Sequence, residues 1–199
     1  MKLPSMLPIR RAALLLPILA LTLSASNCKK VIVEAATPKL PEATQDGKNT
    51  FGCKLGDKVW LPGSDHMLLP PLDADLTGTG FTLRASDDHN DAPGWEEFNL
   101  SLNTTSFVPG TYTLRNGLTA RYWSRENDLN NIEDYIAGSG NTGTLTITKV
   151  EPRTKTTTVL GNTVTSNFTV VSGTFEFTAT TSAGKTITVK EGRFDVQAF

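Results

Sequence analysis

The sequence predicts an all-β protein, an antiparallel β-sandwich or barrel of about ten strands. Thr, Ser, Asn and Gly are abundant, whereas the long runs of Leu, Glu, Lys and Ala that are typical of helices are missing after position 30. In the C-terminal third, apolar residues alternate with polar ones, and turn residues separate these runs at short intervals. So many strands must close into a barrel or fold into a sandwich to cover their edges, and the sequence does not distinguish the two.

Residues 1–27 have the pattern of a lipoprotein signal peptide. Lys2, Arg10 and Arg11 precede the apolar run at residues 12–23, and small polar residues follow it. A transmembrane helix is the alternative, but crossing the hydrocarbon core takes about 20 apolar residues. Pro17 also interrupts the run. We therefore predict that this segment is cleaved and removed.

Cys28 follows the signal peptide in the sequence Leu-Ser-Ala-Ser-Asn-Cys. This segment resembles a lipobox, although Ala25 stands where such boxes usually have Leu, and Asn27 where they have Gly or Ala. The resemblance implies that Cys28 becomes the lipidated N-terminus, with two or three acyl chains as a stable membrane anchor. The alternative is ordinary signal cleavage after Ala25 and a disulfide between Cys28 and Cys53.

The mature chain is predicted to consist of a tether and one domain. Residues 28–49 combine Pro38, Pro41, charged and small residues without a sustained hydrophobic period, which indicates a flexible linker. Residues 50–199 form the predicted β domain, long enough to bury about 70% of its unfolded surface. If Cys28 is lipidated, Cys53 has no partner and is expected to be a buried core thiol.

The β domain is predicted to begin with a hairpin, residues 51–55 and 58–61, around the turn Gly56-Asp57. Residues 63–80 and 85–94 are predicted loops. Residues 124–138 have some apolar residues at helical spacing, but their Asn-rich composition favours a loop. The other predicted strands are residues 81–84, 95–102, 111–114, 120–123, 142–150, 164–171, 173–180, 185–190 and 193–197.

Both ends of the predicted domain contain motifs. Residues 40–60 contain Pro-x-Ala-Thr-Gln and Asn-Thr-Phe-Gly-Cys, and residues 171–196 contain Ser-Gly-Thr-Phe and Gly-Arg-Phe-Asp. They resemble the two ends of an uncharacterised lipoprotein family of the Bacteroidota type, except that Glu191 replaces the usual Asp. The resemblance implies an anchored, predominantly β envelope protein and brings no reaction. The motif residues are expected to serve the fold: Gly52, Gly173 and Gly192 at turns or close backbone approaches, and Phe51, Phe175 and Phe194 in the core.

Three tryptophans, Trp60, Trp95 and Trp123, are the candidate ligand-facing aromatics. Together with tyrosines they could stack on sugar rings, although aromatic side chains are more often part of the core. Three of the 19 basic residues lie in the signal peptide, so the mature chain has 16 basic and 20 acidic side chains. This balance disfavours nucleic acid as a partner.

No catalytic, metal or cofactor site is predicted. The acidic stretch Asp-Asp-His-Asn-Asp at residues 87–91 lacks the ligand spacing of a calcium loop. His66 and His89 are the only histidines, too few for a zinc site. Glu96 and Glu97 are adjacent on a predicted strand, so their side chains should point to opposite faces rather than flank one glycosidic bond. Nucleotide-binding and serine-hydrolase motifs are missing.

We therefore expect a lipid-anchored protein of the cell envelope, at the outer membrane on its periplasmic side or at the cell surface. Its expected role is that of a non-catalytic binding or structural module, with a glycan or an envelope protein as partner. An envelope enzyme acting on glycans or peptides is the alternative, and it would need ionisable residues that converge in a cleft. A third hypothesis is an assembly subunit whose exposed edge strand pairs with a partner.

Overall fold

A computed structural model of the chain describes residues 38–65, 70–88, 94–126, 131–138 and 140–199. The predicted signal peptide, Cys28 and both histidines lie outside these ranges. No helix in the described ranges is long and apolar enough to span a membrane. The twelve strands in these ranges are β1 (Thr50–Leu55), β2 (Lys58–Trp60), β3 (Gly63–Ser64), β4 (Leu72–Thr77), β5 (Gly80–Asp88), β6 (Gly94–Asn103), β7 (Gly110–Thr113), β8 (Leu118–Glu126), β9 (Ile132–Ile136), β10 (Gly143–Val159), β11 (Asn162–Thr180) and β12 (Thr186–Ala198).

All twelve strands belong to one sheet, so the all-β prediction is confirmed. Its main path runs β2-β1-β12-β11-β9-β8-β6-β5-β3, while β10 joins β11 to β7 and β4 pairs with β5. The pairing is antiparallel except between β3 and β5. β9 and β11 share a single residue pair, Ile136 with Thr180, which divides the path into two halves. Because the path does not close, the architecture is that of a sandwich, whose two halves face each other.

The core lies between these two halves. Phe51 of β1 packs against Phe98 of β6, and Phe81 of β5 packs against Phe194 of β12, with ring centroids 5.8 and 5.9 Å apart. In β6, Phe98, Leu100 and Leu102 alternate with polar residues, a sequence pattern that predicts one inward face. The structure confirms it, since every second residue from Phe98 onward is buried. At one end, backbone hydrogen bonds join Phe199 to β4, from Leu76 N–H to the Phe199 carbonyl and from Phe199 N–H to the Ala74 carbonyl.

Two reciprocal glycine–phenylalanine pairs connect β11 and β12. Gly173 lies opposite Phe194, and Gly192 lies opposite Phe175. A Cβ atom at Gly173 would lie 2.5 Å from the carbonyl oxygen of Thr146 and 2.8 Å from the Phe194 ring. A Cβ atom at Gly192 would lie 2.5 Å from the Phe175 ring. The close approach predicted for these glycines is thus observed, with each ring covering the glycine on the neighbouring strand.

Residues 38–49, expected as part of the tether, instead pack against the β domain, and the compact unit begins at Pro38. We call residues 38–49 the N-terminal strap. Its backbone wraps around the carboxylate of Asp195, which accepts hydrogen bonds from Gly47 N–H at 2.8 Å and from Thr44 Oγ1 at 2.6 Å. The N-terminal and C-terminal motifs therefore meet in space. The strap lacks hydrophobic periodicity because a distant buried carboxylate, rather than an apolar face, holds it.

In the loop predicted for residues 124–138, the described residues are largely strand, and residues 127–130 lie outside the described ranges. β8 continues to Glu126. β9 pairs with it in antiparallel register, with Ile132 opposite Arg125 and Ile136 opposite Arg121. The two strands are joined by Arg121 and Asp134, whose side chains form two hydrogen bonds of 2.6 and 2.9 Å. Cross-strand pairing therefore overrides the local preference of an Asn-rich sequence for a loop.

β10 and β11 form a hairpin that extends beyond its neighbours. β7 pairs with β10 only as far as Ile147, and β12 pairs with β11 only from Thr169 onward. The hairpin itself remains paired up to Val159 and Asn162. Residues 152–168 therefore form a two-stranded projection, which we call the arm. Leu160 at its tip is 98% exposed.

Candidate functional site

The three candidate tryptophans lie in two different environments. Trp60 of β2 is buried in the core, where its ring packs against Phe51 and Phe98. Trp95 and Trp123 lie side by side, partly exposed, with ring centroids 5.1 Å apart and planes tilted by 52°. The structure therefore brings two of the three together and separates Trp60 from them.

Strand alternation places Trp95 and Trp123 on the outer face of the sheet. In β6, Phe98 faces the core, so the odd-numbered Trp95 and Glu97 face outward. In β8, Tyr122 is buried, so Trp123 faces outward. The register aligns Trp95 with Arg125 and Glu97 with Trp123, which makes the two indoles diagonal neighbours across the strand pair.

Charged side chains border the two indoles. The guanidinium of Arg125 lies 5.7 Å from the centroid of the Trp95 ring, within the range of a cation–π contact. Trp123 donates its Nε1–H to Glu97 at 3.3 Å, and the other Glu97 oxygen lies 3.9 Å from Arg84. We call these five side chains the tryptophan platform: Trp95, Trp123, Glu97, Arg84 and Arg125.

Trp95 Nε1 is the one unsatisfied buried side-chain donor found in the described ranges. Such groups are few in folded proteins, and each calls for a specific explanation such as a functional role or an ordered water. The neighbouring Arg121–Asp134 pair continues the polar surface along β8 and β9. Its hydrogen bonds, together with the nearby acidic groups, raise the pKa of Arg121.

Glu96 lies on the opposite face of β6 from Glu97. Its carboxylate accepts a hydrogen bond from Trp60 Nε1 inside the sandwich and interacts with the hydroxyl of Tyr122. Burial, reinforced by Glu96, raises the pKa of Tyr122 far above its ordinary value. The two adjacent glutamates therefore point away from each other, as strand geometry predicts, and do not converge on one substrate bond.

This inner polar group was not predicted from the sequence. The alternation in β6 could have predicted it, because Glu96 is two residues before Phe98 and its side chain therefore lies on the same, inward face. A second polar group, more exposed than the first, lies on β9, where Glu133 accepts hydrogen bonds from Lys185 and, at 2.5 Å, from the Tyr135 hydroxyl. The Lys185 hydrogen bond, followed by that of Tyr135, lowers the pKa of Glu133, while burial and Glu133 raise the pKa of Tyr135 to about 12.

Cys53 is free and fully buried. Burial, followed by the charge of Glu96, raises the pKa of its thiol far above the ordinary range. Because the thiolate is the reactive form, we expect no reaction of Cys53 with an aromatic disulfide reagent at pH 8 in the folded full chain, and complete reaction in urea. The Cys53→Ser variant supplies the background from Cys28. Rapid labelling of Cys53 without urea would contradict this expectation.

Within the described ranges, no group of three or more His, Cys, Asp or Glu side chains is arranged to hold a metal ion. Asp87 and Asp88 of the predicted acidic stretch end strand β5, and residues 89–91 lie outside those ranges. The candidate site is therefore the tryptophan platform, in which aromatic and charged side chains share an exposed surface.

Scans against protein-family models, curated proteins and solved structures each find no significant match to this chain.

Proposed function

We propose that this protein is a lipid-anchored, non-catalytic binding module of the cell envelope, and that the tryptophan platform binds carbohydrate. The observation that supports the ligand is the pair of neighbouring indoles, Trp95 and Trp123, on the outer face of the sheet. Large aromatic side chains are usually buried. A partly exposed aromatic pair with charged side chains around it is typical of a binding surface.

The chemistry of the platform suits a sugar. A sugar ring has an apolar C–H face that packs on an indole, and hydroxyl groups that bond to carboxylates and guanidinium groups. The bordering charges are balanced, since the three cations Arg84, Arg121 and Arg125 are matched by three acids, of which Asp73 and Glu97 lie near Arg84 and Asp134 pairs with Arg121. This balance favours an uncharged glycan over a strongly charged ligand.

The lipid anchor in this proposal depends on Cys28. A run of apolar residues after a basic start, followed by small residues and a cysteine, supports cleavage directly before Cys28, attachment of a diacylglyceryl group to its thiol as a thioether, and acylation of its freed amine. Mass spectrometry of the mature protein from a bacterial membrane fraction should find an N-terminal peptide that begins at Cys28. Its mass should exceed that of the unmodified peptide by at least the mass of a diacylglyceryl group. An unmodified peptide that begins at Ser26 would contradict the anchor.

A glycan array screened with the detergent-extracted mature chain, followed by titration of the best ligand, tests the platform. We expect Trp95→Ala and Trp123→Ala each to weaken binding by about tenfold or more, because stacked aromatic residues dominate such surfaces. The control is Phe199→Ala, which removes an exposed ring elsewhere. Equal affinity of all variants, or no glycan bound by the wild-type chain, would reject the carbohydrate ligand. Cleavage of a bound glycan would favour the enzyme alternative.

A further inference from the structure

Leu160, at the tip of the arm, is in an unfavourable position in the single chain. Its side chain is 98% exposed, although leucine is among the residues most often buried. Its φ angle is 51°, in the left-handed region where a side chain crowds the backbone and where hairpin turns usually have Asn, Asp or Gly. The turn itself therefore gives no reason for a leucine at this position, whereas a contact with another molecule would supply one.

The two faces of the arm differ in charge. Alternation from the buried Val171 places the odd-numbered residues of β11 on the face that continues the inside of the sandwich. This inner face is neutral and consists of Pro152, Thr154, Thr156 and Thr158 of β10 opposite Thr169, Asn167, Thr165 and Thr163 of β11. The outer face contains Lys155 and Arg153, which donates a hydrogen bond to the strap. In the body of the sandwich the opposite half covers the inner face, whereas the threonines of the arm are exposed.

A recess of about 360 Å³ lies at the base of this inner face. Its lining includes Leu76, Ala198 and Phe199 of the body and Pro152, Thr154, Asn167 and Thr169 of the inner face. Phe199 is 66% exposed, so an apolar surface is open at this point. Leu160 cannot reach the recess of its own chain, because the arm between residues 152 and 160 is about 26 Å long. The exposed leucine and an apolar recess that suits it therefore lie at opposite ends of the same arm.

We infer that two copies of this chain associate through their arms, inner face against inner face, with Leu160 of each copy inserted into the recess of the other. The two arms run in opposite directions about a twofold axis near Thr156 and Thr165, which lie midway between the tip and the recess. Each copy then supplies a leucine at one end and a recess at the other, so the two contacts form together by symmetry. Each arm takes the layer, about 10 Å from the strands, that the opposite half occupies in the body. The contact uses the faces of the arms and no strand edge.

The distribution of charge favours a second copy on this face. A twofold axis brings each residue beside it close to the same residue of the other copy, so a charge there would meet its like. Thr156 and Thr165 are neutral, as is the rest of the inner face. Their hydroxyl groups can both donate and accept hydrogen bonds, so identical threonines can bond to each other across the axis. A twofold contact through the outer face would instead bring Lys155 close to Lys155 of the second copy.

Cysteine cross-linking of the full chain in bacterial membranes tests which face of the arm is covered. Thr165→Cys should give a covalent dimer with a short bismaleimide, because its two copies lie near the axis between layers about 10 Å apart. The matched control is Ser166→Cys, the next residue, which is exposed and lies on the outer face, away from the second copy. The wild-type chain, with Cys28 and Cys53, supplies the background. Absence of the Thr165→Cys dimer, or equal dimer from both variants, would overturn the inference.

Leu160→Asn in the Thr165→Cys background tests the insertion of the leucine. Asn-Gly is a preferred pair for a type I′ turn, so the hairpin should be kept and the melting temperature should not fall. The yield of cross-linked dimer should fall at least tenfold, because each dimer loses two buried leucine side chains. Val164→Thr, which removes an exposed apolar group from the outer face of the arm, should leave the yield unchanged.

Three outcomes would contradict the insertion of Leu160 into a second copy. They are an unchanged yield of dimer from Leu160→Asn, an equal loss of dimer from Val164→Thr, and a lower melting temperature of Leu160→Asn. The last would show that the leucine stabilises its own chain instead.

Discussion

Replacement of Asp195 by Asn is expected to lower the free energy of unfolding by about 3 kcal/mol, because buried donors lose a charged acceptor. Asp195 is only 1% exposed. An amide of the same size offers one acceptor oxygen and turns its NH₂ group toward backbone N–H groups, which cannot accept its hydrogens. The donors to the carboxylate are Thr44 Oγ1, Ser172 Oγ and the backbone N–H groups of Asp46, Gly47 and Lys48.

Urea unfolding of the full chain, followed by tryptophan fluorescence, measures this loss. The matched control is Asp46→Asn in the strap, whose exposed carboxylate lies 4.0 Å from Lys48 and touches no buried donor. We expect the control to change the free energy of unfolding by less than about 0.5 kcal/mol. Similar effects of the two substitutions would show that the strap does not depend on the buried carboxylate.

The same carboxylate predicts a dependence of stability on pH. Burial alone would raise the pKa of Asp195, but the hydrogen bonds from the strap and from Ser172 outweigh it and lower the pKa from 3.8 to about 2. Because the pKa is lower in the folded state, the stabilisation is complete above pH 4 and is lost as the pH falls through 2. Between pH 7 and pH 2, the stability difference between the wild type and Asp195→Asn should shrink by about 2 kcal/mol. A constant difference would contradict this assignment.

The second large effect is expected at the reciprocal glycine–phenylalanine pairs. Gly173→Ala should destabilise the protein by about 3 kcal/mol, because the added methyl group overlaps the backbone of Thr146 as well as the Phe194 ring. Gly192→Ala should cost less, since only the Phe175 ring has to move. The control is Gly110→Ala on β7, where nothing lies within 4 Å of the new methyl group.

Thermal and urea unfolding of these three variants measure the differences. A strand glycine that served only as a flexible point would gain stability on substitution by alanine, through reduced entropy of the unfolded chain. Stabilisation by Gly173→Ala would therefore contradict the packing of the Phe194 ring over the backbone. Loss of stability at Gly110 of the same size as at Gly173 would show that the effect is not specific to the covered glycines.

Alternation along a strand is a local property, and it made part of the fold and of the platform predictable. The alternation in the sequence predicts that the side chain of Phe98 in β6 faces the core. The side chains of Trp95 and Glu97, an odd number of residues away, must then face outward. The burial of Trp60 was not accessible in the same way. It lies at the end of a three-residue edge strand and is covered by Phe98 of the opposite half of the sandwich, a contact that no local pattern indicates.

The strap and the arm both show that the local sequence does not reveal which distant parts of the chain a segment contacts. The strap resembles a linker in composition, yet Asp195, far away in the sequence, holds it in place. The arm resembles an ordinary strand pair, because the register of a hairpin is set by its own turn. Its exposure depends on where β7 and β12 end, which is a property of the neighbouring strands.

The position of β12 has a consequence for how the chain reaches its native state. This strand lies between β1 and β11, yet it is the last of the described strands along the chain. Contacts between the first and last strands give the fold a high contact order, which slows folding because long loops must close first. The strap cannot bind Asp195 until β12 has been synthesised. The native sheet can therefore assemble only after all of its described strands have left the ribosome.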